Sequence, residues 1–146
     1  KAGINVSIGT DGTASNNTLD MVEEMRFAAL LPKGSLHNPE AVNARTALRM
    51  ATINGAKALG IHHLTGSLEV GKRADLIVIH ADASNMLPIY DVYSAIVYAS
   101  NSKNIRSSMV NGKWIMRNRE LLNIDKTGTM ESMKHIVNSQ IDNRKS

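Results

Sequence analysis

The apolar positions of this chain follow two rhythms, and the change from one to the other divides it. Near the start, Ile4, Val6 and Ile8 alternate with small polar residues, the period-two pattern of a short strand, and Gly9 breaks it. Leu19, Met21, Val22, Met25, Ala28 and Ala29 then recur at helical spacing, with Glu23, Glu24 and Arg26 on the outer face. This predicts a helix over 21–31, stopped by Pro32 and Gly34. Asn38 before Pro39 reads as an N-cap with proline at the first helical position, and Glu40 adds negative charge to the first turn. A helical pattern follows through Val42, Ala47, Leu48, Met50 and Ala51. Asn54-Gly55 interrupts it, so two successive helices are expected, the second over 56–59 with Gly60 as its C-cap.

From Gly66 the helical period gives way to turns and short apolar runs. The run from Gly66 to Asp75 is turn-rich, and Leu76, Ile77, Val78 and Ile79 form a nearly continuous apolar strand. Residues 94–99, Ser-Ala-Ile-Val-Tyr-Ala, are a second strand candidate. Asn111-Gly112 between the runs 105–110 and 113–116 is a strong hairpin signal. Residues 67–120 therefore read as a small, mostly β unit. Met130, Met133, Ile136, Val137 and Ile141 return to helical spacing, a closing amphipathic helix over 129–141 whose Met-rich stripe is expected to pack. No internal repeat or low-complexity segment is present.

Composition narrows the functional classes. At 146 residues and 42% hydrophobic the chain can build one compact core or two small ones, and with aromatics at 3% that packing falls to aliphatic side chains and eight methionines. The net charge of +4 collects mildly toward the end, at Lys113, Arg117, Arg119, Lys126, Lys134, Arg144 and Lys145, without a basic stripe interleaved with aromatics, so a nucleic-acid partner is not expected. The absence of cysteine excludes disulfides and thiolate metal sites. No apolar run matches a membrane span and no signal peptide is visible, which sets the expectation of a cytoplasmic protein with no membrane partner. Lys1 in place of Met, followed at once by a strand, reads as the beginning of a fragment.

The candidate chemistry gathers after the first strand. Asp11 stands at its C-terminal end, where an α/β barrel collects its catalytic groups, and can serve as a metal ligand, a general base or both. Ser15, Asn16 and Asn17 precede the first helix and can accept from its leading N–H groups while shaping the loop under Asp11. Asp-Gly is also ordinary turn material, and a strand, a turn and a capped helix without chemistry satisfy the same residues. His62 and His63 read as loop residues, because adjacent histidines on a strand face opposite ways and no third ligand lies near them.

The order of these parts resembles the C-terminal part of the amidohydrolase superfamily. The matching pieces are Gly9-Thr10-Asp11-Gly12 with Ser15-Asn16-Asn17, Leu19-Asp20-Met21, Met50-Ala51-Thr52 with Asn54-Gly55-Ala56 and Ala58-Leu59-Gly60, the run Gly-Ser-Leu-Glu-Val-Gly-Lys-Arg-Ala-Asp-Leu over 66–76, and Val110-Asn111-Gly112. The Thr-Asp-Gly-x-x-Ser-Asn-Asn motif is similar to that of the branch holding methylthioadenosine/S-adenosylhomocysteine deaminases and triazine chlorohydrolases. The resemblance implies an α/β fold: residues 1–65 as the last strand and helices of a metal-dependent (β/α)8 barrel, 66–122 as a mostly β sandwich portion, and 123–146 as a C-terminal helical tail. It implies a divalent metal, zinc or iron, held by a His-x-His pair, two further histidines and the carboxylate matched by Asp11. That carboxylate also takes a proton from the attacking water, and Ser15 and Asn16 hold it and its loop.

The same resemblance implies a small nucleoside-type substrate, with hydrolytic deamination of an adenosine-type nucleoside as the parent activity. Guanine deamination or triazine dechlorination on the same scaffold, and a non-catalytic self-associating module, are the alternatives. The departures are large. A complete barrel needs about 250 residues, no His-x-His occurs, and none of His37, His62, His63, His80 and His135 matches a ligand position. One carboxylate cannot hold a catalytic metal. The fragment alone is therefore expected to bind no catalytic metal, to be inactive, and to self-associate or pair with the part it lacks.

Overall fold

A computed structural model of the chain describes residues 3–143. Its first regular element is helix α1, Met21–Ser35, opened by Asp20, whose carboxylate accepts from the N–H groups of Val22 and Glu23. Capping thus falls to Asp20, not to Ser15, Asn16 and Asn17. The helix also passes the expected stop at Pro32: the Pro32 carbonyl still accepts from the Leu36 N–H at 3.0 Å, so the last turn closes around a proline that lacks only its own donor.

Helix α2, Ala44–Met50, is capped by Asn43, whose Oδ1 accepts from Thr46 N at 2.9 Å. The expected cap at Asn38 is displaced, because its side chain closes a local turn on Glu40 N at 2.9 Å instead. Helix α3, Ile53–Ala58, follows, but the break falls at Ala51 and Thr52 and the expected interruption, Asn54-Gly55, lies inside α3; Gly60 sits at φ +73° just beyond its end. Gly66 is confined by packing as well as by conformation: its φ is +91°, and a Cβ there would lie 2.7 Å from the Cβ of Ala56.

Strand β1, Leu76–Ile79, begins a four-stranded antiparallel sheet in the order β1-β2-β3-β4, with β2 Ile105–Val110, β3 Lys113–Arg117 and β4 Glu120–Leu121. The hairpin between β2 and β3 turns at Asn111 and Gly112, both at positive φ (+49° and +76°), as a tight two-residue turn requires. Asp75 ties the turn to the start of β1 by accepting from Asn111 N at 2.5 Å, and this hydrogen bond is the leading cause holding its carboxyl below the usual carboxylate range. A second tight turn, Asn118-Arg119, carries no glycine; Arg119 stays at φ +69° while its guanidinium donates to the carbonyls of Ser102, Lys103 and Ile105.

Residues 94–99 overturn the expected strand. Helix α4, Val92–Ser94, is capped by Asp91 and runs into a π-helical turn, Ala95–Ala99. The adjacent β-branched Ile96 and Val97 suit a strand, but here Val97 fills a helical core: Ala29 of α1, Ala44 and Ala47 of α2 and Val97 pack together, with Val42, Leu48 and Tyr98 against them. Alanines at the crossing let the helices approach closely. The turn ends on Arg26, which donates from Nε to the Val97 carbonyl at 3.4 Å and from Nη2 to the Ser100 carbonyl, filling carbonyls that the helix end leaves open.

Two further expectations fail by exposure. The segment 4–8 joins no strand ladder, and Ile4 and Val6 remain exposed. Helix α5, Lys126–Asn143, forms, but its stripe of Met130, Met133, Ile136, Val137 and Ile141 is exposed instead of packed. Arg144 and Lys145, counted among the basic residues above, lie outside the described residues.

Candidate active site

Three polar contacts attach the segment before Asp11 to the helices. Asn5 Nδ2 donates to the Asn54 carbonyl and Asn54 Nδ2 donates back to the Val6 carbonyl, each at 3.0 Å. Ile8 N adds a bond to the Met50 carbonyl at 3.3 Å. The junction of α2 and α3 thus carries the segment, with Asn54 as a two-way clamp. The sequence marked Asn54 only as a helix interruption, and nothing local to it pairs it with residues 5 and 6, 49 and 48 positions away.

Asp11 then turns into the left-handed region at φ +57°. Its Oδ1 accepts from Gly12 N at 2.8 Å, and Oδ2 has no hydrogen-bond partner among the described residues. The Gly12 carbonyl accepts from both Ser15 N (3.0 Å) and Asn16 N (2.9 Å), which closes the turn. The structure therefore brings Asp11, Ser15 and Asn16 together through the backbone of Gly12. Ser15 is exposed and contributes its N–H, whereas Asn16 is half-buried and contributes its side chain. Asn16 Oδ1 accepts from Thr18 N, Thr18 Oγ1 and Leu19 N, and Nδ2 donates to Glu24 Oε1 at 2.6 Å.

An exposed carboxylate with one free oxygen, on a turn braced from a helix, can accept a proton or offer one ligand to a cation. It cannot hold a metal by itself. Among the described residues no group of three or more His, Cys, Asp or Glu side chains is arranged to hold an ion. His62 and His63 lie in the loop after α3, as expected, with rings edge to face at 6.1 Å. His37 follows α1, His80 follows β1 and His135 lies on α5, all exposed.

The sequence model of the Amidohydrolase family matches residues 1–115. The chain belongs to the amidohydrolase family. Among curated relatives, a 5-methylthioadenosine/S-adenosylhomocysteine deaminase from Acetivibrio thermocellus is 46% identical over 137 residues, covering 94% of this chain and 32% of the relative. A 5'-deoxyadenosine deaminase from Methanosarcina barkeri is 48% identical over 129 residues, covering 88% of this chain and 29% of the relative. Among solved structures, an adenosine deaminase from Xanthomonas campestris with bound zinc superposes with a TM-score of 0.89 at 40% identity, over 92% of this chain and 30% of that one. An atrazine chlorohydrolase from Arthrobacter aurescens complexed with zinc gives a TM-score of 0.84 at 29% identity, over 93% and 30%. The chain spans about a third of the length of the curated relatives it matches. The mixed helices and antiparallel sheet of this chain, with its amidohydrolase-family match, agree with the expected α/β class. No helix among the described residues is long and apolar enough to cross a membrane.

Proposed function

We propose that this chain is the C-terminal part of a hydrolase that removes the amino group of an adenosine-type nucleoside with water. In this reading residues 1–65 supply the last strand and helices of the barrel, 66–122 the sandwich portion and 123–146 the tail. The observation that carries it is Asp11: a carboxylate with a free oxygen on a braced turn, in a family-matched chain whose relatives bear deaminase names. Asp11 Oδ2 takes a proton from the attacking water as the oxygen bonds to the amino-bearing carbon of the base. Returning that proton to the departing nitrogen lets ammonia leave, so charge balances over the cycle. Ser15 and Asn16 hold Asp11 in place for both transfers.

The described residues do not complete a metal site. A zinc or iron ion would take the Asp11 carboxylate as one ligand and need the others from outside this chain, which alone is inactive. Surface supports that need for further chain. The protein exposes 10768 Å², against roughly 7,400 Å² for a compact monomer of 15.9 kDa. Ile4, Val6, Leu59 and the α5 stripe contribute to the excess. A larger body or a second copy covers them.

Deamination is favoured over dechlorination by the 40% identity to the adenosine deaminase against 29% to the chlorohydrolase. The test is a chimera in which this chain replaces the matching third of the A. thermocellus relative. Ammonia release from methylthioadenosine, with none of the chloride release from atrazine, is the expected result. A folded chimera that turns over only atrazine overturns the substrate assignment.

A further inference from the structure

Nothing in the apolar pattern explains how the Asp11 turn keeps its shape, since Asp11 at φ +57° and Leu19 at φ +46° both sit where side chains are disfavoured. The hydrogen bonds supply an answer that leads to α1. Gly12 N holds Asp11 Oδ1, the Gly12 carbonyl holds Ser15 N and Asn16 N, and Asn16 Oδ1 holds Thr18 N, Thr18 Oγ1 and Leu19 N. The two backbone contacts to Asn16 Oδ1, from Thr18 N and Leu19 N, require the amide oxygen to face that backbone, whereas the Thr18 hydroxyl, also 3.0 Å from Glu23 Oε2, can serve either orientation. An amide group is nearly symmetric in shape and can sit either way round, so something must choose. The Thr18 and Leu19 N–H groups select the oxygen on one side, and Glu24 Oε1, 2.6 Å from Asn16 Nδ2, selects on the other: a carboxylate only accepts, so it holds the amide NH2 toward itself. Glu24 is fixed in turn by its place in the first turn of α1, where its N–H donates to the Asp20 carbonyl at 3.0 Å and its neighbours Val22 and Met25 are buried.

We propose that Glu24 is a positioning residue for Asp11, acting by setting the orientation of the Asn16 amide and through it the whole 11–19 turn. The hydrogen-bond route stands on geometry alone; its importance for turnover rests on the function proposed above for Asp11. The test is residue-resolved amide hydrogen exchange on this chain, comparing Glu24→Ala with Glu24→Gln. In E24A, the amides of Gly12, Ser15, Asn16, Thr18 and Leu19 exchange at least about tenfold faster, while those of the β2–β3 hairpin stay within about twofold of the parent. In E24Q, whose amide oxygen still accepts, the turn amides stay within about threefold of the parent. Unchanged turn amides in E24A, or E24Q matching E24A, overturn the proposal, and so does faster exchange spread evenly over the chain. The same variants in the chimera separate the two readings. Turn amides freed by E24A with kcat unchanged would leave the positioning role standing and remove Asp11 from catalysis.

Discussion

Ala29, Ala47 and Val97 are wholly excluded from water, whereas Ile4 and Val6, whose alternation is just as regular, keep 77% and 50% of their surface exposed. The first group lies where α1, α2 and the π-helical turn cross, and every apolar face there finds another. The second lies on a segment held by three polar contacts, with no neighbouring strand to pair with among the described residues. One region is stabilised by burial and the other only by hydrogen bonds exposed to solvent, which are individually worth little. The candidate chemistry sits in the second. A braced turn on a weakly anchored segment suits a piece of active site that becomes rigid when more protein closes over it.

Substitutions can break this contrast or sharpen it. The largest effect on stability is expected at Gly66→Ala, where both the left-handed backbone and the close approach of Ala56 oppose a Cβ; a loss of about 3 kcal/mol in denaturant unfolding is predicted. Arg26→Ala should cost about 2 kcal/mol, because it strands the Val97 and Ser100 carbonyls at the edge of the helical core. Gly112→Val meets no steric neighbour but must hold φ +76°, so a loss of about 1–2 kcal/mol is expected, read as weakened protection of the β2–β3 hairpin in hydrogen exchange. Asp75→Asn should change mainly the acid limb. The Asp75 carboxyl is held below its usual 3.8 by Asn111 N–H, so its contribution is present above that value and lost as pH falls through the lower folded one. Urea midpoints measured from pH 6 to pH 2 should fall less steeply in D75N than in the parent.

How much of this was legible beforehand follows the same divide. The strand β1 and the Asn111-Gly112 hairpin were read correctly, because each carries its own local signal, while the two successive helices were expected but their break falls at Ala51 and Thr52 and not at Asn54-Gly55. Residues 94–99 were misread because Ile96 and Val97 prefer strands locally, and only the pocket between α1 and α2 makes them helical. Pro32 and Asn38 misled because a proline near a helix end and an Asn before proline each permit more than one geometry. Within the candidate site, Asp11, Ser15 and Asn16 stood out by motif. Asn54 and Glu24 did not, since their roles depend on partners 48 and 8 residues away in sequence. Among the described residues the stretch 66–122 holds one four-stranded sheet, and the α5 stripe that looked like packing is exposed.

The role proposed for Asp11 is chemical, and its exposed side chain, with one hydrogen bond to Gly12 N, is expected to add little to the stability of the fold. Asp11→Ala measures it most directly when made twice, in this chain and in the chimera with the A. thermocellus relative. The account predicts that unfolding of this chain shifts by no more than about 0.5 kcal/mol, while deamination of methylthioadenosine by the chimera falls by about 100-fold to 10,000-fold. A chimera that keeps turnover near the parent value with alanine at position 11 would contradict it.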